Sequence, residues 1–278
     1  MEIRERLKNK KRVVIKIGSS SLTHKITGEV DYQKMEQLTR TLCDLRGMGM
    51  DVILVSSGAI AVGRKAMHMH KRPSTTAEKQ ALASIGQARL MMTYQRLFAE
   101  YSQIAAQILM TKNTVKNDLS RFNTKNTFEE LLSMGAIPIV NENDTVATYE
   151  IEFGDNDHLS AYVAALTGAD LLILLSDIDG MYTDDPSRNA DASLIPVIWE
   201  LTEEYESMGK STSKSDIGTG GMSAKLDAAK IAVNAGIDMV IANGSNVKNI
   251  LDIVEGKEVG TLFVGHKNKN FDLLNYIR

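Results

Sequence analysis

The sequence predicts an α/β protein with one domain over residues 1–278, a three-layer α/β/α sandwich around an open, mostly parallel sheet. Two observations support this class. Short apolar runs alternate with stretches of helical periodicity, which is the order produced when helices connect parallel strands. Most of these runs also end in small polar residues, and in open parallel sheets ligands bind beyond the carboxyl ends of the strands.

Seven apolar runs have the length and composition of buried strands. They lie at residues 13–17, 52–55, 104–110, 137–140, 171–175, 239–242 and 262–264, and we expect them to be parallel. The polar segments that follow five of them are residues 18–21, 56–59, 141–144, 176–177 and 243–245. Because strand ends of a parallel sheet share one edge, we expect these segments to converge on one site.

Helical periodicity fills the gaps between the strands. The first helix has an apolar stripe of Met35, Leu38, Leu42 and Leu45, and Asp31 is its predicted N-cap. Further helices are predicted at 77–101, 123–134, 159–166, 223–235 and 247–254. Residues 147–153 break this pattern, because apolar and polar side chains alternate there as in a half-exposed strand. We expect a hairpin or flap over the substrate at this point.

Composition excludes several classes of partner. The 278 residues are 43% hydrophobic and 24% charged with a net charge of −3, which is ordinary for a soluble protein and suggests neither nucleic acid nor a membrane surface. The charged N-terminus does not resemble a signal peptide, and no apolar run is long enough to cross a bilayer. These features predict a cytoplasmic protein that acts on small molecules.

The segment 218–225, Gly-Thr-Gly-Gly-Met-Ser-Ala-Lys, is the strongest functional signal. Its glycines let backbone N–H groups approach an anion, the following helix adds partial positive charge, and Lys225 can follow charge as it moves between oxygens. The segment is neither a Walker A loop nor a Gly-x-Gly-x-x-Gly fingerprint. It predicts a nucleotide phosphate site of another kind, and a mobile loop that caps an ordinary helix is the alternative.

Lys16 lies within the apolar strand 13–17. Burial of an unpaired ammonium is costly, so phosphate oxygens or a carboxylate near Lys16 explain its position better than an apolar environment does. Two lysines suit phosphoryl transfer, where catalysis is mainly positioning and charge stabilisation. Asp157 could orient both Lys16 and Lys225. The alternatives are a lysine that reaches solvent at a sheet edge and an Asp-rich turn that caps a helix.

Three further groups of polar residues could take part in chemistry. Residues 141–144, Asn-Glu-Asn-Asp, offer groups suited to the ammonium and carboxylate of an amino acid, with an Asx turn as the alternative. His158 is either a general base or an ordinary first-turn residue of a helix. His68 and His70 have no evident third ligand, so no protein-held metal is predicted.

Five motifs occur in a fixed order along the chain. They are Lys-Ile-Gly-Ser-Ser from Lys16, Val-Ser-Ser-Gly-Ala from Val55, Pro-Ile-Val-Asn-Glu-Asn-Asp from Pro138, Gly-Asp-Asn-Asp from Gly154 and Gly-Thr-Gly-Gly-Met-Ser-Ala-Lys from Gly218. With these motifs the chain resembles the amino acid kinase family from about Val13 to Val264. Within that family it resembles the branch that phosphorylates glutamate.

The resemblance implies transfer of the ATP γ-phosphate to the side-chain carboxylate of L-glutamate, as the first step of proline synthesis. Lys16 and Lys225 would stabilise the transferring phosphoryl group, and Asp157 would organise the two lysines. The remaining implied site residues are Ser57, Asp144 and Asn156 for glutamate, and Lys16, Ser176, Asp177, Thr219, Gly220, Gly221, Met222, Ser223, Ala224 and Lys225 for the nucleotide.

The resemblance also implies Mg²⁺ on the ATP phosphates, a homo-oligomer and feedback inhibition by proline. Many bacterial relatives continue into a PUA domain, which we do not expect here. One alternative is a sister kinase acting on N-acetylglutamate, aspartate, carbamate or a nucleoside monophosphate, because the fold reuses one phosphate site with different acceptor pockets. The other is an amino acid sensor without catalysis, against which the intact Lys16, Asp157 and Lys225 argue.

Overall fold

The computed structural model of the chain describes residues 2–24, 27–146, 155–186, 188–205, 208 and 221–277. The predicted flap at 147–153 and the loop residues 218–220 lie outside these ranges. The chain divides into two units, one formed by residues 1–16 and 154–278 and the other by residues 17–153. We call them the outer unit, because it contains both chain ends, and the inner unit.

Strands and helices alternate in both units, as predicted. The strands are β1 Arg12–Ile17, β2 Asp51–Ser56, β3 Ala105–Met110, β4 Ile137–Glu142, β5 Leu171–Ser176, β6 Val197–Ile198, β7 Asp238–Asn243 and β8 Thr261–Phe263. The α-helices are α1 Glu2–Glu5, α2 Ser19–Leu22, α3 Tyr32–Gly47, α4 Ala59–Ala66, α5 Thr76–Ala99, α6 Lys112–Lys116, α7 Asp118–Ser133, α8 Asn156–Thr167, α9 Met222–Asn234 and α10 Asn249–Val254. Two short 3₁₀ helices, Arg6–Asn9 and Leu273–Tyr276, complete the described elements.

The inner unit contains three parallel strands in the order β3-β4-β2. The predicted start of the first long helix is confirmed, since the Asp31 side chain accepts a hydrogen bond from the backbone N–H of Lys34 at 3.0 Å. Helix α5 begins at a capping box in which Thr75 and Glu78 satisfy each other's backbone N–H groups. Local sequence therefore fixes where two of the long helices begin.

Helices α1, α2, α4 and α6 and the two-residue strand β6 were not predicted. Helix α4 follows Gly58, whose φ of 111° few other residues adopt, and it packs closely on α5. A Cβ on Gly63 of α4 would lie 1.9 Å from the carbonyl oxygen of Leu82, and one on Gly86 of α5 would lie 1.7 Å from that of Ala59. The absence of side chains at these two glycines allows the helices to touch, so tertiary packing defines α4 more than local periodicity does.

The outer unit contains the strand order β1-β5-β7-β8-β6. β5 and β7 are parallel, with Leu171 opposite Asp238. The prediction of a parallel strand at 262–264 was wrong, because β8 runs antiparallel to β7. The helix in this connection, α10, has six residues and covers about 9 Å, whereas a six-residue strand covers about 20 Å.

Burial explains why periodicity predicted the strands well. All six residues of β5 are buried, as are all six of β4. A strand buried on both faces has a nearly continuous apolar sequence, which is the pattern that the prediction used. The predicted class, an α/β fold with a mostly parallel sheet, is confirmed. No helix among the described residues combines the length and the apolar character that a bilayer crossing requires.

Candidate active site

Asp157 lies between two lysines in the outer unit. Its Oδ1 is 2.7 Å from Lys16 Nζ, and its Oδ2 is 3.0 Å from Lys225 Nζ. The side chains of Asp157, Lys225 and Lys16 are 1%, 6% and 12% exposed. We call these three residues the lysine–aspartate triad. Because each carboxylate oxygen faces a different ammonium, the position of Asp157 determines where both cations lie.

The three residues of the triad lie on three separate elements. Lys16 is the penultimate residue of β1, where the flanking Ile15 and Ile17 are fully buried. Asp157 is the second residue of α8 and Lys225 the fourth residue of α9, and the two helices pack against each other. The chain therefore joins at one point residues that are more than two hundred positions apart in sequence.

The Asp-rich turn and the triad carboxylate are different residues. Asp155 is the N-cap of α8, and its Oδ1 accepts hydrogen bonds from the backbone N–H groups of Asp157 and His158, both at 2.9 Å. The cap satisfies N–H groups that lack partners within the helix. Asp155 thus fixes the first turn of α8, and this leaves the Asp157 side chain available for the two lysines.

Electrostatics favour the ionised form of Asp157. Burial by itself raises the pKa of a carboxyl group, but the charges and hydrogen bonds of Lys16 and Lys225 outweigh it, and the pKa of Asp157 is lowered. Two ammonium groups, those of Lys16 and Lys225, share the single carboxylate of Asp157. The triad is therefore suited to hold an additional anion such as a phosphoryl group.

His158 joins two further carboxylates beside the triad. Its Nδ1 lies 2.8 Å from Asp155 Oδ2, and its Nε2 lies 3.7 Å from Asp227 Oδ2 on α9. We call Asp155, His158 and Asp227 the histidine bridge. Burial lowers the pKa of His158, but the hydrogen bond to Asp155 and the charges of Asp155, Asp227 and Asp157 together raise it above its ordinary value.

The N-terminus of α9 presents backbone N–H groups next to Lys225. Gly221 is the N-cap, has no side chain that could accept a hydrogen bond, and no acidic residue occupies the first turn. Met222, Ser223 and Ala224 form that turn and are partly exposed. Uncapped N–H groups at a helix start attract anions. The other two predicted nucleotide residues of this loop, Thr219 and Gly220, lie outside the described residues.

Ser176 and Asp177 lie where β5 ends. The Ser176 side chain is buried and its Oγ donates to Asp177 Oδ1 at 3.1 Å, whereas Asp177 is exposed. Asn243 is the register partner of Ser176 in the parallel strand β7, and its Nδ2 donates to Asp179 Oδ1 at 2.7 Å. The predicted convergence of polar strand ends is thus observed for β5 and β7.

The predicted glutamate residues fall in both units. Ser57 follows β2 in the inner unit, and its backbone N and Oγ each lie 3.3 Å from the carbonyl oxygen of Ile17. Asp144 lies in the turn that follows β4 in the inner unit, and its side chain is partly exposed. Asn156 is the first residue of α8, next to Asp157, and is also partly exposed.

Comparison with known proteins identifies the family of this chain. Residues 11–243 match the model of the Amino acid kinase family. The chain belongs to that family. It is 51% identical over 271 residues to the glutamate 5-kinase of Clostridium acetobutylicum, covering 97% of this chain and 100% of the relative. It is 50% identical over 269 residues to that of Carboxydothermus hydrogenoformans, covering 97% of this chain and 72% of the relative.

Solved structures with much lower identity share the amino acid kinase fold. The UMP kinase of Bacillus anthracis superposes with a TM-score of 0.61 at 15% identity, over 92% of this chain and 96% of that chain. The isopentenyl phosphate kinase of T. acidophilum has a TM-score of 0.61 at 17% identity, over 91% of this chain and 100% of that chain. The resemblance to the amino acid kinase family is therefore confirmed.

Sequence reasoning missed four side chains that support the predicted site of this amino acid kinase. Two are Asp155 and Asp227 of the histidine bridge. The others are on α5, where Gln87 Oε1 accepts from Asn141 Nδ2 at 2.9 Å and Tyr94 OH lies 2.8 Å from Ser56 Oγ. Gln87 and Tyr94 are buried and seven residues apart on one helix face, so polar residues within an apolar stripe were the available signal.

Metal ligands are not evident in the part of the chain that the structure describes. There, no group of three His, Cys, Asp or Glu side chains is arranged to hold a metal ion. Both oxygens of Asp157 face lysines, so the most buried carboxylate of the site is already occupied.

Proposed function

We propose that the protein is a glutamate 5-kinase, which transfers the γ-phosphate of ATP to the side-chain carboxylate of L-glutamate and so catalyses the first step of proline biosynthesis. The observation that carries the reaction type is the lysine–aspartate triad, with Asp157 2.7 and 3.0 Å from two ammonium groups. The choice of glutamate rests on relatives of about half identical sequence that are glutamate 5-kinases.

The chemistry needs charge stabilisation and positioning. A carboxylate oxygen of glutamate forms a bond to Pγ while the bond from Pγ to the β–γ bridging oxygen breaks, so the products are L-glutamyl 5-phosphate and ADP. The nucleophile is already ionised at neutral pH and needs no general base. Lys16 and Lys225 stabilise the charge on the phosphoryl oxygens, and Asp157 keeps both lysines in place.

The nucleotide site in this proposal comprises the N-terminal turn of α9, Lys16 and the ends of β5 and β7. Backbone N–H groups from Gly221 to Ala224 bind phosphate oxygens, together with Thr219, Gly220 and Lys225. Ser176 and Asp177 contact the nucleoside. A Mg²⁺ ion bound with ATP would be held by the phosphates and water and would neutralise part of the phosphate charge. None of the described residues is assigned to hold this ion.

The glutamate site comprises Ser57, Asp144 and Asn156 in this proposal. Asp144 supplies a carboxylate for the ammonium group of glutamate. The Ser57 hydroxyl and the Asn156 amide donate hydrogen bonds to a carboxylate of glutamate. The motif that contains Asp144 is the feature that favours a free amino acid over N-acetylglutamate. We also propose a cytoplasmic homo-oligomer that proline inhibits, which size-exclusion chromatography and an inhibition assay would test.

Trapping of the acyl phosphate tests the proposal directly. Hydroxylamine converts an acyl phosphate to a hydroxamate, so the purified chain is incubated with ATP, Mg²⁺ and hydroxylamine with L-glutamate, aspartate or N-acetylglutamate. We expect hydroxamate with glutamate, and none without enzyme. A preference for another acid would move the protein to a sister activity of the same family. No hydroxamate and no ADP from folded protein would favour the sensor.

A further inference from the structure

His158 connects the two helices that carry Asp157 and Lys225. It directly follows Asp157 on α8, and its side chain reaches both Asp155 at the N-cap of α8 and Asp227 on α9. Asp227 lies two residues after Lys225. Charged side chains therefore link the packed helices α8 and α9 at two places, through Lys225 and Asp157 inside the site and through the histidine bridge beside it.

The proton positions on the ring follow from its partners. The ionised carboxylate of Asp155 can only accept a hydrogen bond, so Nδ1 of His158, 2.8 Å away, is the donor. Nε2 faces a second carboxylate at 3.7 Å, a distance that is too long for a hydrogen bond but short enough for an ion pair. A ring between two carboxylates is stabilised as the imidazolium, in which both nitrogens carry protons.

Charge balance connects the histidine bridge to the phosphoryl site. With His158 protonated, the triad and the histidine bridge together contain three cations and three carboxylates. Loss of the His158 proton leaves an excess negative charge next to groups that have to bind phosphate oxygens. It also removes the ion pair to Asp227, which is the half-exposed link between α8 and α9.

We infer that His158 is a positioning residue for phosphoryl transfer, whose imidazolium ties α8 to α9 and so holds Asp157 and Lys225 opposite each other. This inference rests on the proposed function. The residue touches neither substrate in the proposal and acts through the triad. It gives His158 a role other than general base, which the ionised nucleophile does not need.

The direction of the titration supports this role. The charged groups that act on the ring are Asp155 at the N-cap, Asp157 on the same helix and Asp227 on α9. Together they raise the pKa of His158 although burial lowers it. The imidazolium therefore persists to a pH above the ordinary value of 6.5, and the bridge weakens as the pH rises through the raised pKa.

The test compares turnover across pH in matched variants. His158→Asn keeps a hydrogen-bonding side chain without a charge, and His266→Asn makes the same change at an exposed histidine outside the site. At saturating ATP and glutamate, we expect kcat of the wild type to fall as the pH rises through the His158 pKa. His158→Asn should have a kcat about tenfold lower than that of the wild type, and this kcat should not change with pH over the same range. The KM for glutamate should change little.

A third variant and a spectroscopic measurement distinguish a positioning role of His158 from a role in stability alone. Asp227→Asn removes one of the carboxylates that lie next to the His158 ring. The fall in kcat should therefore move to lower pH, although the triad is unchanged. NMR titration of the imidazole C2 protons, assigned with His158→Asn among the five histidines, should give a pKa above 6.5 for His158 and a lower one in Asp227→Asn.

The outcomes are distinct. A wild type without glutamate-dependent turnover overturns the proposed function, and with it the catalytic part of this inference, while the NMR titration still decides whether the bridge exists. An active wild type whose pH profile matches that of folded His158→Asn overturns the inference alone. The same holds if the His158 pKa is unchanged in Asp227→Asn.

Discussion

Lys16 on β1 and Asp157 at the start of α8 form a buried ion pair, with 2.7 Å between Nζ and Oδ1. Lys225 completes the arrangement from α9 at 3.0 Å. Burial makes this arrangement costly unless every charge has a partner, because desolvation of an isolated ion costs several kcal/mol. In the proposed reaction, the phosphoryl group is a further anionic partner for these two lysines.

Removal of either ammonium should slow catalysis strongly. We expect Lys16→Met and Lys225→Met each to lower kcat about 10²–10³-fold, because in the proposed mechanism each removes a cation that stabilises the transferring phosphoryl group. The hydroxamate assay with L-glutamate measures this change. Lys257→Met is the matched control, since Lys257 is an exposed partner of Asp252 and Glu255 and should leave kcat unchanged. Turnover like that of the wild type in both site variants would refute the assigned roles.

Neutralisation of Asp157 should affect stability in acid as well as activity. The pKa of Asp157 is lowered, so its contribution is present above the unfolded-state value of about 3.8 and is lost as the pH falls through the folded pKa. The free energy of unfolding of the wild type should therefore decrease below that pH more steeply than that of Asp157→Asn. Urea unfolding at a series of acidic pH values measures the difference, and equal slopes would contradict the expectation.

Much of the fold could be predicted because the buried strands have apolar sequences. β5 is buried along its whole length, and an uninterrupted run of apolar residues is enough to predict a strand of this kind. Helix α4 could not be predicted in the same way, because its place depends on Gly63 lying against Gly86 of another helix. The direction of β8 appears only in its antiparallel pairing with β7, which periodicity does not reveal.

In the site, too, some residues could be predicted from the sequence and others could not. That Lys16, Lys225 and Asp157 belong together could be predicted, because each lysine is single in an apolar or glycine-rich context and Asp157 lies in a polar cluster at the start of a predicted helix, whereas their catalytic roles stay predictions. The role of Asp227 was not predictable, since only the packing of α8 on α9 brings it near His158. A charged residue on a half-exposed helix face has no sequence signature that separates it from ordinary surface charge.

Close packing of α4 on α5 should make Gly86 intolerant of a side chain. A Cβ there would lie 1.7 Å from the carbonyl oxygen of Ala59, so we expect Gly86→Ala to lower the free energy of unfolding by about 1–3 kcal/mol or more. Gly47→Ala is the matched control, because a Cβ at that helical position meets nothing within 4 Å. It should be neutral or stabilising by up to about 1 kcal/mol. Equal effects in chemical denaturation would refute the packing argument.

His158 should also make stability depend on pH near neutrality. Its pKa is raised in the folded chain, so the stabilisation is fully present below the unfolded value of about 6.5 and is lost as the pH rises through the folded pKa. Thermal unfolding of the wild type and His158→Asn should therefore differ most at low pH and converge at high pH. A difference that is constant across the range would indicate a packing effect instead.

The buried pair of Tyr94 and Ser56 should support the end of β2 next to Ser57. Their hydroxyl oxygens are 2.8 Å apart, and both residues have no exposed surface. Tyr94→Phe or Ser56→Ala leaves the other hydroxyl buried without this partner, which should cost about 1–3 kcal/mol in urea unfolding. The double variant removes both polar groups, so its cost should be smaller than the sum of the single costs.

The same variants test whether the pair matters for substrate binding. If Ser57 contacts glutamate as proposed, a looser end of β2 should raise the KM for glutamate while the KM for ATP stays within about twofold of the wild type. Thr127→Val on α7 is the control, because it also removes one side-chain hydroxyl, which donates to the carbonyl oxygen of Asn123 on the surface. Additive energies in the double variant together with an unchanged KM for glutamate would mean that Tyr94 and Ser56 are independent packing residues.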